Sequence, residues 1–345
     1  MKIGNHEIGD GQETFIIAEV AQAHEGSLGL AKSFVDAIAD AGAHAVKFQT
    51  HIAAEESTRD EAFRIAMSGQ DATRYDYWHR MEFTPDQWAD LVSYTHDRGL
   101  VFLSSAFSVA AVELLEALDV PAWKVGSGEV FNNSILDAMT TTGKPVLIST
   151  GMSSRDDIAR AHDRVVERGC EPALFQCTSR YPTALDEVGL NVIGDLRDRF
   201  GCAVGLSDHS ATVYPALAAM AQGLDLLEVH VIFDRAMYGP DAKASLTFEE
   251  LAHVTAANTA FKTLSDHPVD KDVVAEELRD MRALFSKSLA PVRDIKAGEV
   301  LTTALLTTKK PGTGIAPDKV DDVLGRRVNR DIAIDQLLRW DDLDA

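Results

Sequence analysis

Residues Ala203–His209 read AVGLSDH and residues Leu226–Val231 read LLEVHV, two apolar runs of the kind a buried parallel strand makes, each delivering a histidine, His209 or His230, at its end. In a parallel α/β fold the carboxyl ends of the strands open into the active site, so imidazoles delivered there from consecutive strands can meet at one metal ion. A helix-capping or core histidine is the blander explanation of either one alone. The two together, with Ser207 and Asp208 beside the first, favour a metal pair.

The same reading extends along the chain. From Thr14 onward, short apolar runs alternate with amphipathic stretches of about 12 to 15 residues, the pattern of repeated βα units. The strand candidates are TFIIAEV from Thr14, HAVKFQ from His44, LVFLSS from Leu100, AWKVGS from Ala122, PVLIST from Pro145, ALFQCT from Ala173, AVGLSD from Ala203 and LLEVHV from Leu226. Ser27 is placed to cap the helix after the first strand, and TPDQ at Thr84–Gln87 combines a capping box with proline in the first turn. Gly42, Gly99, Gly143, Gly169, Gly201 and Gly223 stand where helices stop before the next strand. Eight such units in about 250 residues make an α/β fold of the (β/α)8 TIM barrel type. An open doubly wound sheet, the other parallel arrangement, lacks the G-x-G-x-x-G expected after its first strand.

Hydrophobic residues make up 46% of the 345, enough for one large core and one small one. A formal net charge of -21, with no basic stripe, speaks against nucleic acid and against anionic membrane surfaces. An anionic substrate would therefore need a locally positive site, which directs attention to lysines inside strands. The start, MKIGNHEIGDGQ, carries no apolar leader and no run is long enough to cross a bilayer, so a cytoplasmic location is expected. Cys170, Cys177 and Cys202 are odd in number and lack C-x-x-C spacing, and read as small apolar residues.

A barrel should crowd its chemistry at the strand carboxyl ends. Those ends carry Glu19 and Glu25, Lys47 with Gln49, Ser104 with Ser105, Lys124 with Ser127 and Glu129, Ser149 with Thr150, Gln176 with Thr178, Ser207 to His209, and Glu228 with His230. Lysine within a strand is costly to bury unless paired or bound to an anion, which singles out Lys47 and Lys124. Salt bridges to Glu19 and Glu129 would satisfy them structurally, and an anion site is compatible with such pairs.

AHEGS (23–27), VKFQTH (46–51), KVGSGE (124–129), STGM (149–152), GLSDH (205–209), LEVH (227–230), GPD (239–241) and KKPGTG (309–314) occur in the order and spacing of the sialic acid (N-acetylneuraminate) synthase family, which the chain resembles over nearly its whole length. The resemblance implies a barrel joined by a linker to a small domain resembling type III antifreeze protein, in domain-swapped homodimers. It implies condensation of phosphoenolpyruvate with an N-acyl hexosamine, using a divalent metal, Mn2+ first and Mg2+ or Co2+ after it. The barrel would occupy residues 1–265, the linker 266–283 and the antifreeze-like (SAF, β-clip) domain 284–345. By the resemblance, His209 and His230 bind the metal, and Lys47, Ser105, Lys124, Ser127, Ser149, Ser179 and Ser207 hold phosphoenolpyruvate. Glu25, Gln49, Tyr181 and Asp241 surround the sugar, while the loop carrying Lys310 reaches over the partner's barrel mouth. Glu25 and Glu129 are the acid/base candidates.

Four positions depart from the family pattern: Ala23 stands for asparagine, Ala106 for proline, Val229 for arginine, and Lys310 for the arginine that contacts the N-acyl group. Lysine replaces a planar fork with a point donor. The acceptor therefore stays open among N-acetylmannosamine, mannose and the 2,4-diacetamido-trideoxyhexoses that give legionaminic or pseudaminic acid. The segment Ile52–Phe83, ending in RYDYWHRMEF, is long enough for a functional loop. Its Tyr75, Tyr77 and Trp78 suit a lid, a sugar platform or a packed dimer contact. A metal-dependent pyruvate aldolase and a non-catalytic sugar-binding barrel are the alternatives. The first has less use for two buried lysines and a serine-rich anion cradle.

Overall fold

The chain begins with a short hairpin, β1 (Lys2–Ile3) and β2 (His6–Glu7), and then runs through eight parallel strands. These are β3 (Phe15–Ala21), β4 (Ala45–Thr50), β5 (Val101–Ala106), β6 (Trp123–Val125), β7 (Val146–Ser149), β8 (Pro172–Cys177), β9 (Ala203–Asp208) and β10 (Leu226–His230), and β10 pairs back onto β3 to close the barrel. The computed structural model describes residues 1–63 and 69–344. Every expected strand is present, with ends within two residues of those read from the sequence.

Helices follow the strands for the local reasons the sequence shows. The Ser27 side chain accepts from the Leu30 amide at the start of the helix Leu28–Asp40, and Thr84 and Gln87 close a capping box on the helix Pro85–Asp97, with Pro85 at its first position. All six glycines read as helix ends have positive φ, from 60° to 82°; Gly201 is the left-handed cap of the helix Asn191–Phe200.

The two-residue period of a strand sorts side chains to opposite faces. Outward positions such as Val46, Phe48, Phe102, Trp123, Ile148 and Val204 form the large core with the helices. Inward positions at the amino ends of the strands, Phe15, Ile17, Ala45, Leu103, Ala122, Leu147, Ala173, Phe175 and Leu226, form a second core inside the barrel. Ile3 in β1 and Ile8 just after β2 join this inner cluster and plug the floor. Each fully buried Leu, Ile or Phe here contributes about 1.5–3 kcal/mol. Gly205 leaves room for this layer: a Cβ there would lie 2.6 Å from the Phe175 ring and 2.9 Å from the Leu226 carbonyl.

Contacts divide the chain into two units, Met1–Asp266 and His267–Ala345. In the second, the stretch read as a linker holds two short helices, Lys271–Glu277 and Arg279–Phe285. Beyond it, β11 (Ser288–Pro291) pairs antiparallel with β12 (Leu306–Lys309) over a core that includes Leu289, Ile295, Ile315, Val328 and Leu338. Among the described residues no helix is long and apolar enough to cross a membrane.

Candidate functional site

One step further along the strands, the inward positions turn polar. Glu19, Lys47, Ser105, Lys124, Ser149, Cys177, Ser207 and Glu228 line a cavity of about 410 Å3 at the carboxyl ends of the strands, in the first unit alone. Register brings them together: Glu19 of β3 lies beside Lys47 of β4, and Ser105 of β5 beside Lys124 of β6.

The two lysines are almost fully buried, at 3% and 2% exposure. The Lys47 ammonium lies 2.6 Å from Glu19, donates to Ser105 Oγ at 3.2 Å and sits 3.7 Å from Glu228. Lys124 donates to Ser149 Oγ at 2.6 Å and lies 3.6 Å from the other Glu228 oxygen, which also accepts from Ser207 Oγ at 3.0 Å. Burial pulls the Lys47 pKa down, but Glu19 and Glu228 outweigh it and hold the group above its ordinary value. Burial raises Glu228, yet both lysines overcome this and keep it ionised, while at Glu19 burial wins and the pKa is raised. Burial lowers the Lys124 pKa, a cost that an added anion would remove. Two ammoniums thus face one firm carboxylate, leaving positive charge for an anionic ligand. The expected bridge from Lys124 to Glu129 is not formed: Glu129 accepts from Asn132 at 2.9 Å and lines the cavity edge, and Glu228 is the partner of Lys124.

On the opposite side, His209 and His230 stand with ring centroids 5.0 Å apart. Burial holds His209 down to about 4 and His230 well below its ordinary value, so both imidazoles are neutral at pH 7 and keep a lone pair. His209 Nδ1 donates to the Thr178 carbonyl at 3.2 Å, and His230 Nδ1 faces the Asp241 carboxylate at 3.8 Å. This outer support directs the remaining nitrogens inward, as in histidine metal sites. Among the described residues no group of three or more His, Cys, Asp or Glu side chains could hold an ion. Two neutral imidazoles side by side are the donor set that a divalent ion would find here, its other positions left to small molecules.

Gln49, Ser127, Ser179 and Tyr181 line the same cavity, Tyr181 leaning on His209 at 4.2 Å between ring centroids. Asp241 reaches the site through His230. Glu25 lies outside the cavity lining, in a turn of positive φ (51°), where Arg80 clamps it at 2.8 Å and Asp71 holds Arg80 from the other side. Lys310 belongs to the second unit, with its ammonium 5.2 Å from the centre of the Phe285 ring. Of the three loop aromatics, Trp78 lines the cavity, Tyr77 is buried and Tyr75 stacks under Arg59 away from the lining residues. Part of that loop, residues 64–68, lies outside the described residues.

Several lining residues were not read as site residues. His51 continues the inward parity of Lys47 and Gln49, so spacing alone points to it, while Glu228, noted at its strand end beside His230 but given no role there, pairs with both lysines. Gly151 packs so tightly that a Cβ would lie 2.4 Å from Ser179 Oγ and 3.0 Å from both Ser127 Oγ and Cys177 Sγ. Glu56, Glu61 and Arg74 come from the loop after β4 and carry no periodic signal.

The geometry agrees with the comparisons to known proteins. Residues 34–268 match the model of the NeuB family, and residues 286–344 that of the SAF domain. The N,N'-diacetyllegionaminic acid synthase of Campylobacter jejuni is 31% identical over 95% of this chain and 99% of its own length. The human N-acetylneuraminate-9-phosphate synthase is also 31% identical, over 93% of this chain and 90% of its own length. Among solved structures, the N-acetylneuraminic acid synthetase of Leptospira borgpetersenii aligns with a TM-score of 0.71 at 26% identity, covering 82% of this chain and 95% of that one. The chain therefore belongs to the NeuB family, among whose curated relatives are synthases of legionaminic, pseudaminic and N-acetylneuraminic acids.

Proposed function

We propose that the chain condenses phosphoenolpyruvate with the open-chain aldehyde of an N-acyl hexosamine, forming a nonulosonic acid and releasing phosphate. The observation that carries this reading is the juxtaposition, in one cavity, of two buried lysines among serines with two neutral strand-end histidines. Lys47 and Lys124, with the hydroxyls of Ser105, Ser127, Ser149, Ser179 and Ser207, hold the carboxylate and phosphate of phosphoenolpyruvate. His209 and His230 hold a divalent ion, Mn2+ ahead of Mg2+ or Co2+, which when bound supplies Lewis-acid polarisation of the sugar carbonyl.

The C3 carbon of phosphoenolpyruvate attacks the aldehyde carbon, water adds to C2 and the bond from C2 to the phosphate oxygen breaks, so that phosphoenolpyruvate, aldehyde and water balance against acid and phosphate. Glu129 at the cavity edge takes the proton of the water and returns one to the new hydroxyl, a role that Glu25, held outside the cavity lining by Arg80, is not placed to share. Gln49, Tyr181 and Asp241 orient the sugar. Lys310 contacts its acyl group from the partner's second unit in a domain-swapped dimer. That dimer would cover the apolar side chains the short helices expose, among them Val273, Met281, Leu284 and Phe285. Three free cysteines suit a reducing, cytoplasmic setting.

The relatives differ in acceptor. Because phosphoenolpyruvate adds three carbons, a 9-phosphorylated product corresponds to a 6-phosphorylated hexosamine, whereas a diacetyllegionaminic acid corresponds to an uncharged diacetamido sugar. The experiment is phosphate release from phosphoenolpyruvate with Mn2+ across N-acetylmannosamine, mannose and 2,4-diacetamido sugars, with and without chelator. Release that needs a sugar, is lost with chelator and returns with Mn2+ is expected. Inert phosphoenolpyruvate with every sugar, or condensation of free pyruvate instead, would overturn the reading.

A further inference from the structure

A line of hydrogen bonds joins the loop after β4 to the lysine of that strand. Glu56 Oε1 lies 2.5 Å from His51 Nδ1, and His51 Nε2 lies 3.3 Å from Gln49 Oε1. Gln49 Nε2 then donates to Glu19 Oε1 at 3.0 Å, and the other Glu19 oxygen lies 2.6 Å from the Lys47 ammonium. Chemistry fixes the polarity of this line. An amide oxygen only accepts, so with the Gln49 nitrogen on Glu19, His51 Nε2 is the donor to Gln49 and Nδ1 faces the Glu56 carboxylate.

His51 itself has little to offer a ligand. Its ring is 5% exposed and clamped between Trp78 (3.8 Å between centroids, 10° between planes) and Phe107 (4.3 Å, 11°), and both of its nitrogens are engaged. Gln49 is different: it is half-buried and lines the cavity, and Glu19 takes one of its two amide hydrogens, so the second is the donor it can present to a sugar hydroxyl. The terminal torsion of glutamine is broad and nearly two-fold, so an amide held at one end alone can exchange its oxygen for its nitrogen. His51 opposes that turn, because the flipped amide would set its N–H groups against the His51 N–H and its oxygen against Glu19. Groups that bind substrate keep their geometry when a surrounding layer locks their rotamers, and the aromatic clamp gives His51 the rigidity for that task.

We infer that His51, locked by Trp78, Phe107 and Glu56, is a positioning residue for the acceptor sugar and acts by holding the Gln49 amide in its donating orientation. The inference rests on the condensation reading above and adds to it a residue that serves the sugar without touching it.

The test is a double-mutant cycle in steady-state kinetics with the full chain, phosphoenolpyruvate and Mn2+. The acceptor is whichever of N-acetylmannosamine, mannose and a 2,4-diacetamido-trideoxyhexose the unmodified chain turns over best. His51→Phe keeps a ring in the clamp and loses both hydrogen bonds. Its kcat/KM for the sugar should fall about tenfold, the scale of one hydrogen bond, while KM for phosphoenolpyruvate stays within about twofold. Added to Gln49→Ala, the same substitution should cost less than about twofold more, because the group it orients is gone. His51→Gln, which keeps a side-chain donor without the ring, is the second variant should His51→Phe fail to fold; its smaller loss, about threefold, should likewise vanish on Gln49→Ala. An undiminished loss on Gln49→Ala, or a rise in KM for phosphoenolpyruvate as large as that for the sugar, would show that His51 only supports the wall, and would overturn the inference while condensation stands. Parental sugar kinetics in both His51 variants would do the same. No product with any sugar from the unmodified chain overturns the condensation reading, and the inference with it.

Discussion

Phe175 and Cys177 lie two residues apart on one strand and face the same barrel interior, the first in a packed apolar layer, the second in a polar cavity. The step recurs around the barrel: Ile17 to Glu19, Ala45 to Lys47, Leu103 to Ser105, Ala122 to Lys124, Leu147 to Ser149 and Leu226 to Glu228. Two residues of strand rise about 6.6 Å, one layer of side chains. A closed barrel thus separates two tasks by height: the lower layer and its hairpin plug hold the strands together, and that rigidity permits the upper layer to bury charges in fixed positions. Lys124 sits at the boundary, with its ammonium 5.2 Å from the centre of the Phe175 ring.

If the layers are separable, substitutions in each should fail differently. The largest effect is expected for Lys124→Met, which removes an ammonium from the upper layer. Its kcat/KM for phosphoenolpyruvate should fall by roughly 10²–10³, the scale for losing one preorganised charge-stabilising group. Unchanged kinetics would remove Lys124 from the site. Leu147→Ala in the lower layer should cost about 2–5 kcal/mol of stability with little change in kcat once the folded fraction is matched. Calorimetry alongside kinetics would show whether the two losses separate.

Gly151→Ala sharpens the upper layer. Its Cβ would intrude on Ser127, Cys177 and Ser179, so KM for phosphoenolpyruvate should rise by about tenfold with a smaller change in kcat. A KM within twofold of the parent would mean that the serine cluster does not bind the substrate.

The smallest expected effect lies at the rim of the barrel. His24 is buried, and its Nδ1 accepts from the Gly26 amide at 3.1 Å, holding the turn that carries Glu25. Burial, with His51 and Arg80 adding to it, lowers its pKa from 6.5 to about 3. The unfolded chain therefore takes up this proton more readily, so stability is full above pH 6.5 and is lost as pH falls from there toward 3. His44, His209 and His230 are shifted in the same direction. Urea unfolding of His24→Phe should give lower stability at pH 7, by about 1 kcal/mol for the lost amide acceptor, and a shallower decline between pH 7 and pH 5. An unchanged slope would mean that His24 takes no part in the acid response.

The barrel was legible because each strand is an apolar run followed by a helical stretch, six of the eight closed by a glycine, and the histidine pair was legible because both residues close such runs. The lysines stood out because a cation inside a strand is rare without a partner. The partner itself was harder to find. Glu129 is the nearer acid to Lys124 in sequence, but it lies beyond the end of β6, where strand parity no longer says which way a side chain points. Glu228 keeps the parity of His230 and reaches Lys124 across the barrel. His51 shows the converse: its parity was readable, but its aromatic clamp depends on Trp78 and Phe107, which are remote in sequence. The clamp on Glu25 joins residues 55 apart, and no local pattern encodes such a contact.

On the proposed reading, the upper layer holds phosphoenolpyruvate beside a divalent ion on the histidine pair. Crystals soaked with Mn2+ and phosphoenolpyruvate, with data collected at the manganese edge, test it most directly. One anomalous peak between His209 and His230 is expected, with a phosphate and carboxylate in contact with Lys47, Lys124 and Ser149. A metal bound elsewhere, or phosphoenolpyruvate ordered away from both lysines, would contradict it.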